Sequence, residues 1–227
     1  MTILFTGGTG KLGQALQPYF PDALFPTRQE MDITWAEQVR DVITGAKPRL
    51  IVHLAALVGT VICERNRERA FVVNVVGTRN LLATDIPMLY ASSDYVFSGS
   101  RGGYRTADLP DPINMYGETK AAAERSVLNA GGKVFRFSFK PDPYPHAMAC
   151  IDMHTSGHYL PVMAAKVAAA IRRYDDLAPV VHLGCERISQ YNLAMQTRPD
   201  CQPVTRAELE QQYKVRLPAD VSLMCSE

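Results

Sequence analysis

The segment Thr6-Gly7-Gly8-Thr9-Gly10-Lys11-Leu12-Gly13 leaves this chain few folds to choose from. It follows the apolar, β-type run Ile3-Leu4-Phe5 and leads into a helical pattern, so its glycines sit where a strand turns sharply into a helix. In such a turn Gly8 and Gly10 let the backbone approach a pyrophosphate with no Cβ in the way. Gly13 lets the helix pack close to the strand, and the helix N-terminus offers its amides to an anion. Glycine-rich turns also occur where a chain merely changes direction, so the rest of the sequence has to decide.

Further along, β-type runs alternate with helical ones, the pattern of an α/β doubly wound parallel sheet, the Rossmann arrangement. Strands are expected at 2–6, 23–26, 50–54, 88–92, 133–137 and 180–183. Helices are expected at 34–43, 65–83, 115–129, 160–174 and 189–195, with Gly131-Gly132 as a stop signal. The first helix should be short because Pro18 and Pro21 interrupt it. The Pro-rich stretch Lys140 to His146 marks the end of the dinucleotide core, 1–139, which elements within about 160–186 complete. Residues 140–159 and 187–227 then form a small C-terminal substrate-binding cap.

A second segment speaks to chemistry. In Tyr116-Gly117-Glu118-Thr119-Lys120, Tyr116 and Lys120 lie one helical turn apart and project from the same face. An ammonium beside a phenol favours phenolate, so Tyr116 is expected below its ordinary pKa of about 10 and able to exchange a proton with a carbonyl or alcohol. Ser92-Ser93-Asp94-Tyr95-Val96-Phe97 follows the strand-like Met88 to Ala91 and places hydroxyls at a strand's carboxyl end, where open α/β sheets bind ligands.

Composition is that of an ordinary globular enzyme domain: 227 residues, 47% apolar and 21% charged, enough to bury a sizeable core. A net charge of +1 leaves no electrostatic footprint for nucleic acid or an anionic membrane. The longest apolar stretch, 50–62, is too short to span a bilayer, and no leader pattern precedes the glycine turn. Five dispersed cysteines, with no C-x-x-C pair, suit reduced thiols and a cytoplasmic location. Cys63 and Cys150 have no evident paired base. His154 and His158 stand at i, i+4 near Asp152, but Gly157 and Thr155-Ser156 argue against a helix there, and no metal is expected.

Taken together, these segments resemble the extended short-chain dehydrogenase/reductases, and within them the dTDP-4-dehydrorhamnose reductase group. The resemblance runs through the glycine turn, Val52 to Ala56, Asn74 to Leu82, Ser92 to Phe97 and Pro112 to Tyr116, covering about the first 140 residues. It implies a keto-group reductase, with Ser93 orienting the carbonyl, Tyr116 as general acid, and Lys120 on the nicotinamide ribose while tuning Tyr116. Cofactor contacts are then expected from Gly7, Gly10, Lys11, Leu12 and Gly13, from Arg28, Asp32 and Ile33, from Leu54, Ala55 and Ala56, and from Asn74, Tyr116 and Lys120. Ser93, Asp94 and Lys140 would face the substrate.

At the end of the second strand Arg28 stands where an acidic residue would accept the adenosine ribose, so NADP(H) is preferred, with Glu30 and Asp32 keeping NAD(H) open. The related dehydratases carry Asp-Glu after the hydroxyl residue. Here Asp94 is followed by Tyr95, which favours simple reduction. Only about 90 residues follow Phe137, fewer than the family usually carries, so the nucleotide-sugar substrate is a weaker implication than hydride transfer. Two alternatives stay open, a non-catalytic NADP-binding regulatory subunit and a nucleotide-sugar epimerase. A homodimer is also left open.

Overall fold

The computed structural model of the protein describes residues 2–225. Its centre is a parallel sheet of five strands, β1 (Ile3–Thr6), β2 (Leu50–His53), β3 (Met88–Ala91), β4 (Lys133–Arg136) and β5 (Val180–His182), in that spatial order. Register runs from Ile3 opposite Leu50 and Leu89 opposite Lys133 to Val134 opposite Val180. Side chains alternate across each strand, and the alternation sorts them into two cores. Phe5, Leu50, Val52, Leu89 and Phe135 face one layer with Leu12, Leu16, Met163 and Val167. Leu4, Ile51, Tyr90 and Val134 face the other with Val39, Ile43, Ala123 and Val127. Because helices cover both faces, the strands read as continuous apolar runs.

The segment expected as a second strand, 23–26, survives only as a bridge between Leu24 and Leu4. It lies at the sheet's edge, and Pro26 has no N–H with which to extend the pairing. The bridge still fixes topology. From β1 the chain steps outward to Leu24 and then crosses to β2 on the other side, which puts the switch point at the carboxyl ends of β1 and β2, the place where such sheets bind ligands.

Helix 115–129 forms as expected, and the first helix, Lys11–Leu16, is indeed short. The helix expected at 65–83 forms over 67–82, with a π turn at Val72–Val76 in its middle. Asn66, at φ −134°, separates it from a short preceding helix, Thr60–Arg65. The Asn66 side chain bonds back to the Ile62 carbonyl, competing with the helical ladder.

The cap contains three small two-stranded sheets. His154–Thr155 and His158–Tyr159 are strands in two of them, so the two histidines do not share a helix face. Helix Arg206–Tyr213 was not anticipated, although its capping box, Thr205 with Glu208, is visible in the sequence. The tail assigned to the cap turns back onto the core: Met224 donates its N–H to the Tyr104 carbonyl, and the Ser222 carbonyl accepts from Tyr104. Among the described residues no helix is long and apolar enough to cross a membrane.

Candidate active site

At the switch point the glycine turn is held tightly against the loop after β2. Gly7 has φ +71°, and a Cβ there would stand 2.7 Å from the Ala55 nitrogen. A Cβ on Gly13 would overlap the Gly7 carbonyl, so this glycine permits the helix to sit on the turn, as expected. Gly8 differs from expectation. Its Cβ would meet Phe25, so Gly8 is a packing glycine rather than one that faces a phosphate. Gly10 is the open position: it is exposed, and the one close neighbour of a Cβ there would be the Gly7 carbonyl at 3.2 Å. Lys11 is exposed beside it, whereas the Leu12 side chain is buried in the core.

The loop Leu54-Ala55-Ala56 is shaped from below by a chain of hydrogen bonds that the sequence did not advertise. Thr78 gives its hydroxyl proton to the Asn74 carbonyl (2.7 Å), so it can only accept from His53 Nε2 (2.9 Å). That leaves Nδ1 of His53 to accept from the Thr6 hydroxyl (2.7 Å), whose oxygen in turn accepts from the backbone of Leu54 and Ala55. The histidine is fully buried, and burial holds its pKa down near about 3, with the Lys120 charge adding to the effect; it works as a neutral spacer.

Asn74 was expected at the cofactor. Its polar atoms are instead engaged inside the protein: Oδ1 accepts from the Leu57 N–H (2.7 Å), while Nδ2 donates to the Leu57 carbonyl and to the Thr119 hydroxyl, each at 3.0 Å. It clamps the loop after β2 to the helix that carries Tyr116, and the π turn orients it inward. Ile33 also departs from expectation, since its buried side chain packs on Gly77.

Tyr116 and Lys120 are brought together with Ser93 as expected. Asn114 caps their helix by accepting from Gly117, and Gly117 has to be a glycine because a Cβ would run into the Tyr95 carbonyl. This close approach sets the helix directly on the Ser93–Tyr95 segment. The Ser93 hydroxyl donates to Asp94 Oδ1 (3.1 Å) and accepts from the Tyr95 N–H (3.2 Å). Asp94 is buried, and its other oxygen accepts from Ser138 (2.7 Å) and Thr155 (3.0 Å). Burial raises its pKa, with those hydroxyls and the Lys140 charge pulling the other way; Lys140 is itself pushed down by burial and supported by Asp94. Asp94 therefore braces Ser93, with three of its acceptor positions used inside the protein.

One electrostatic expectation is overturned. Burial pushes the Tyr116 phenol above its ordinary range, and the neighbouring Ser93 hydroxyl offsets this only in part. Lys120 does not depress it. Lys120 is buried, its ammonium donates to the Ala91 carbonyl and lies 4.2 Å over the Tyr90 ring, and desolvation lowers its own pKa to about 7. In a low-dielectric site both groups are driven toward their neutral forms. Tyr116 thus holds its proton at neutral pH, as a general acid requires.

A cleft of about 600 Å³ runs from Thr9 of the glycine turn past Thr27, Arg28 and Asp32 to Trp35. Arg28 is exposed and pairs with Asp32 at 2.9 Å, while Asp32 also accepts from the backbone and hydroxyl of Thr34. Arg28 therefore lies at the cleft, as its expected role requires, with a half-buried acidic partner that a phosphate could replace. The open face at Gly10, this cleft and the Lys120 ammonium, one of whose three protons is used on Ala91, fit a dinucleotide.

Comparison with known proteins accords with this geometry. The RmlD substrate binding domain family matches residues 1–139. Methionine adenosyltransferase 2 subunit beta of Xenopus tropicalis is 35% identical over 150 residues, 59% of this chain and 45% of that protein. The dTDP-4-dehydrorhamnose reductase of Aggregatibacter actinomycetemcomitans is 33% identical over 141 residues, 58% and 48% of the respective chains. The chain thus spans about half the length of these relatives. Among solved structures, the dTDP-4-dehydrorhamnose reductase of Bacillus anthracis in complex with NADP superposes with a TM-score of 0.86 at 25% identity, covering 99% of this chain and 90% of that one. The Clostridium acetobutylicum enzyme of the same name has a TM-score of 0.89 at 22% identity, with the same coverage.

Proposed function

The chain belongs to the RmlD substrate binding domain family, and on that premise we propose that it is an NADPH-dependent reductase of a keto group, with a nucleotide-activated sugar as its substrate class. The observation that carries the reading is the meeting of Ser93, Tyr116 and Lys120 at the carboxyl end of β3, next to an open glycine turn. When bound, a reduced nicotinamide supplies hydride to the carbonyl carbon. Tyr116 gives its phenolic proton to the carbonyl oxygen, completing the alcohol. The Lys120 ammonium, anchored on Ala91, offers its remaining protons to ribose hydroxyls. Ser93 turns its hydroxyl from Asp94 to the same carbonyl oxygen, while Asp94 keeps the serine backbone in place through Ser138 and Thr155. Arg28 favours NADP(H) by trading Asp32 for the 2′-phosphate.

A second reading, a non-catalytic subunit that retains the cofactor fold, is favoured by the similarity to methionine adenosyltransferase 2 subunit beta in several species. NADPH oxidation assayed with a 4-keto nucleotide-sugar and with simple ketones separates the two. Turnover that disappears in Tyr116→Phe supports the reductase. Tight NADPH binding with no turnover of any ketone makes the subunit reading the better one.

A further inference from the structure

Behind the site lies a buried ion pair that the proposed chemistry does not use. Glu124 and Arg136 are 1% and 2% exposed. Arg136 directs Nε at both Glu124 oxygens, 3.1 and 3.2 Å away, and Nη2 at Oε1. Its Nη1 faces the Thr106 and Asp108 carbonyls and Nε2 of His182. A buried pair of this kind is rarely the cheapest way to stabilise a fold, since apolar residues of equal volume commonly do as well. What distinguishes this pair is where its carboxylate sits.

Glu124 follows Lys120 by four residues and Tyr116 by eight on one helix, so the three side chains share a face. Its Oε2 also accepts from the Ser92 hydroxyl at 2.7 Å, and Ser92 immediately precedes Ser93. One carboxylate thereby ties the helix of Tyr116 and Lys120 to the strand end that carries Ser93. The other groups facing Lys120 are the Ala91 carbonyl and Tyr90 ring on β3, the Cys63 thiol, fully buried, and neutral His53 on β2. Among them Glu124 is the anionic side chain, and it opposes the desolvation that drives Lys120 toward the neutral amine.

We propose that Glu124 is a positioning residue of this site, holding the Lys120 ammonium in its charged form and fixing Ser93 relative to Tyr116. The inference rests on the reductase reading only for its consequence in turnover; the effect on Lys120 stands without it. The test follows the ¹³Cε resonance of Lys120 across pH, assigned by its loss in Lys120→Met, in the wild type and in Glu124→Gln. Glu124 shares its charge with Arg136 yet still favours the Lys120 ammonium, so removing the carboxylate takes away that support and leaves a guanidinium uncompensated behind it. Lys120 in Glu124→Gln should therefore titrate at lower pH than in the wild type, and NADPH oxidation should lose its activity at a correspondingly lower pH. Glu124→Gln leaves Arg136 unpaired, so Glu124→Gln/Arg136→Met is made beside it; it removes both charges, and because Glu124 shares the helix face of Lys120 a smaller shift in the same direction is expected. An unchanged Lys120 titration in a folded variant overturns the proposal, as does failure of both variants to fold, which would make the pair structural. A lowered titration in a protein that turns over no ketone upholds the role of Glu124 and defeats the reductase reading instead.

Discussion

Replacing Asn74 by alanine separates a clamp from a cofactor ligand. The substitution deletes three hydrogen bonds, two to the Leu57 peptide and one to Thr119, at a residue that is 1% exposed. At about 0.5–1.5 kcal/mol net for each bond the loss comes to roughly 3 kcal/mol. For a domain of this size each kcal/mol moves Tm by about 2–4 °C, so thermal unfolding should fall by roughly 6–12 °C. Asn74→Asp should be at least as damaging despite its shape, because its second oxygen would face the Leu57 carbonyl and could be satisfied only if Thr119 withdrew its proton from the Tyr116 carbonyl. The assay is calorimetry with and without NADPH, alongside an NADPH titration well below Tm. The clamp predicts a large loss of stability with cofactor affinity reduced only modestly. An unchanged Tm accompanied by lost NADPH binding would refute it and return Asn74 to the cofactor.

Tyr116→Phe should keep NADPH affinity while losing about a hundred- to ten-thousand-fold in turnover, the usual worth of a general acid, as read by steady-state NADPH oxidation. Arg28→Ala should weaken NADPH by about 1.5–3 kcal/mol and leave NADH unaffected; equal loss for the two cofactors in calorimetric titration would detach Arg28 from the 2′-phosphate. Gly10→Val should fold yet fail to bind NADPH, since the site around Gly10 is open, whereas Gly13→Val should not fold, because its Cβ meets the turn's own backbone; circular dichroism and titration tell the two apart. Lys120 is a base whose pKa falls from 10.5 unfolded to about 7 folded, so between those values the unfolded chain holds the extra proton and stability rises with pH, while below about 7 the full cost of its buried charge is felt. Lys120→Met should therefore gain Tm relative to wild type at pH 6 and lose that gain by about pH 10.

Local rules acting on neighbouring residues made the glycine turn, the helix Met115–Asn129 and the alternating strands legible in the sequence. A strand-to-helix turn needs Gly7 and Gly13 wherever it occurs, residues four apart share a helix face in any helix, and strand alternation requires only two apolar layers. Tyr116, Lys120 and Ser93 could be read in this way. Partnerships between distant residues could not. That Asn74 clamps Leu57 and Thr119, that Gly8 packs on Phe25, and that Glu124 bridges Arg136 and Ser92 depends on which segments fold against one another. Burial belongs to the same class. The sequence places an ammonium near a phenol and predicts a lowered phenol pKa, but the surrounding protein removes water from both groups, and desolvation then raises Tyr116 and lowers Lys120. Residue types and their spacing determined the chemistry available to this chain, and tertiary packing decided the protonation states and supports in which it is held.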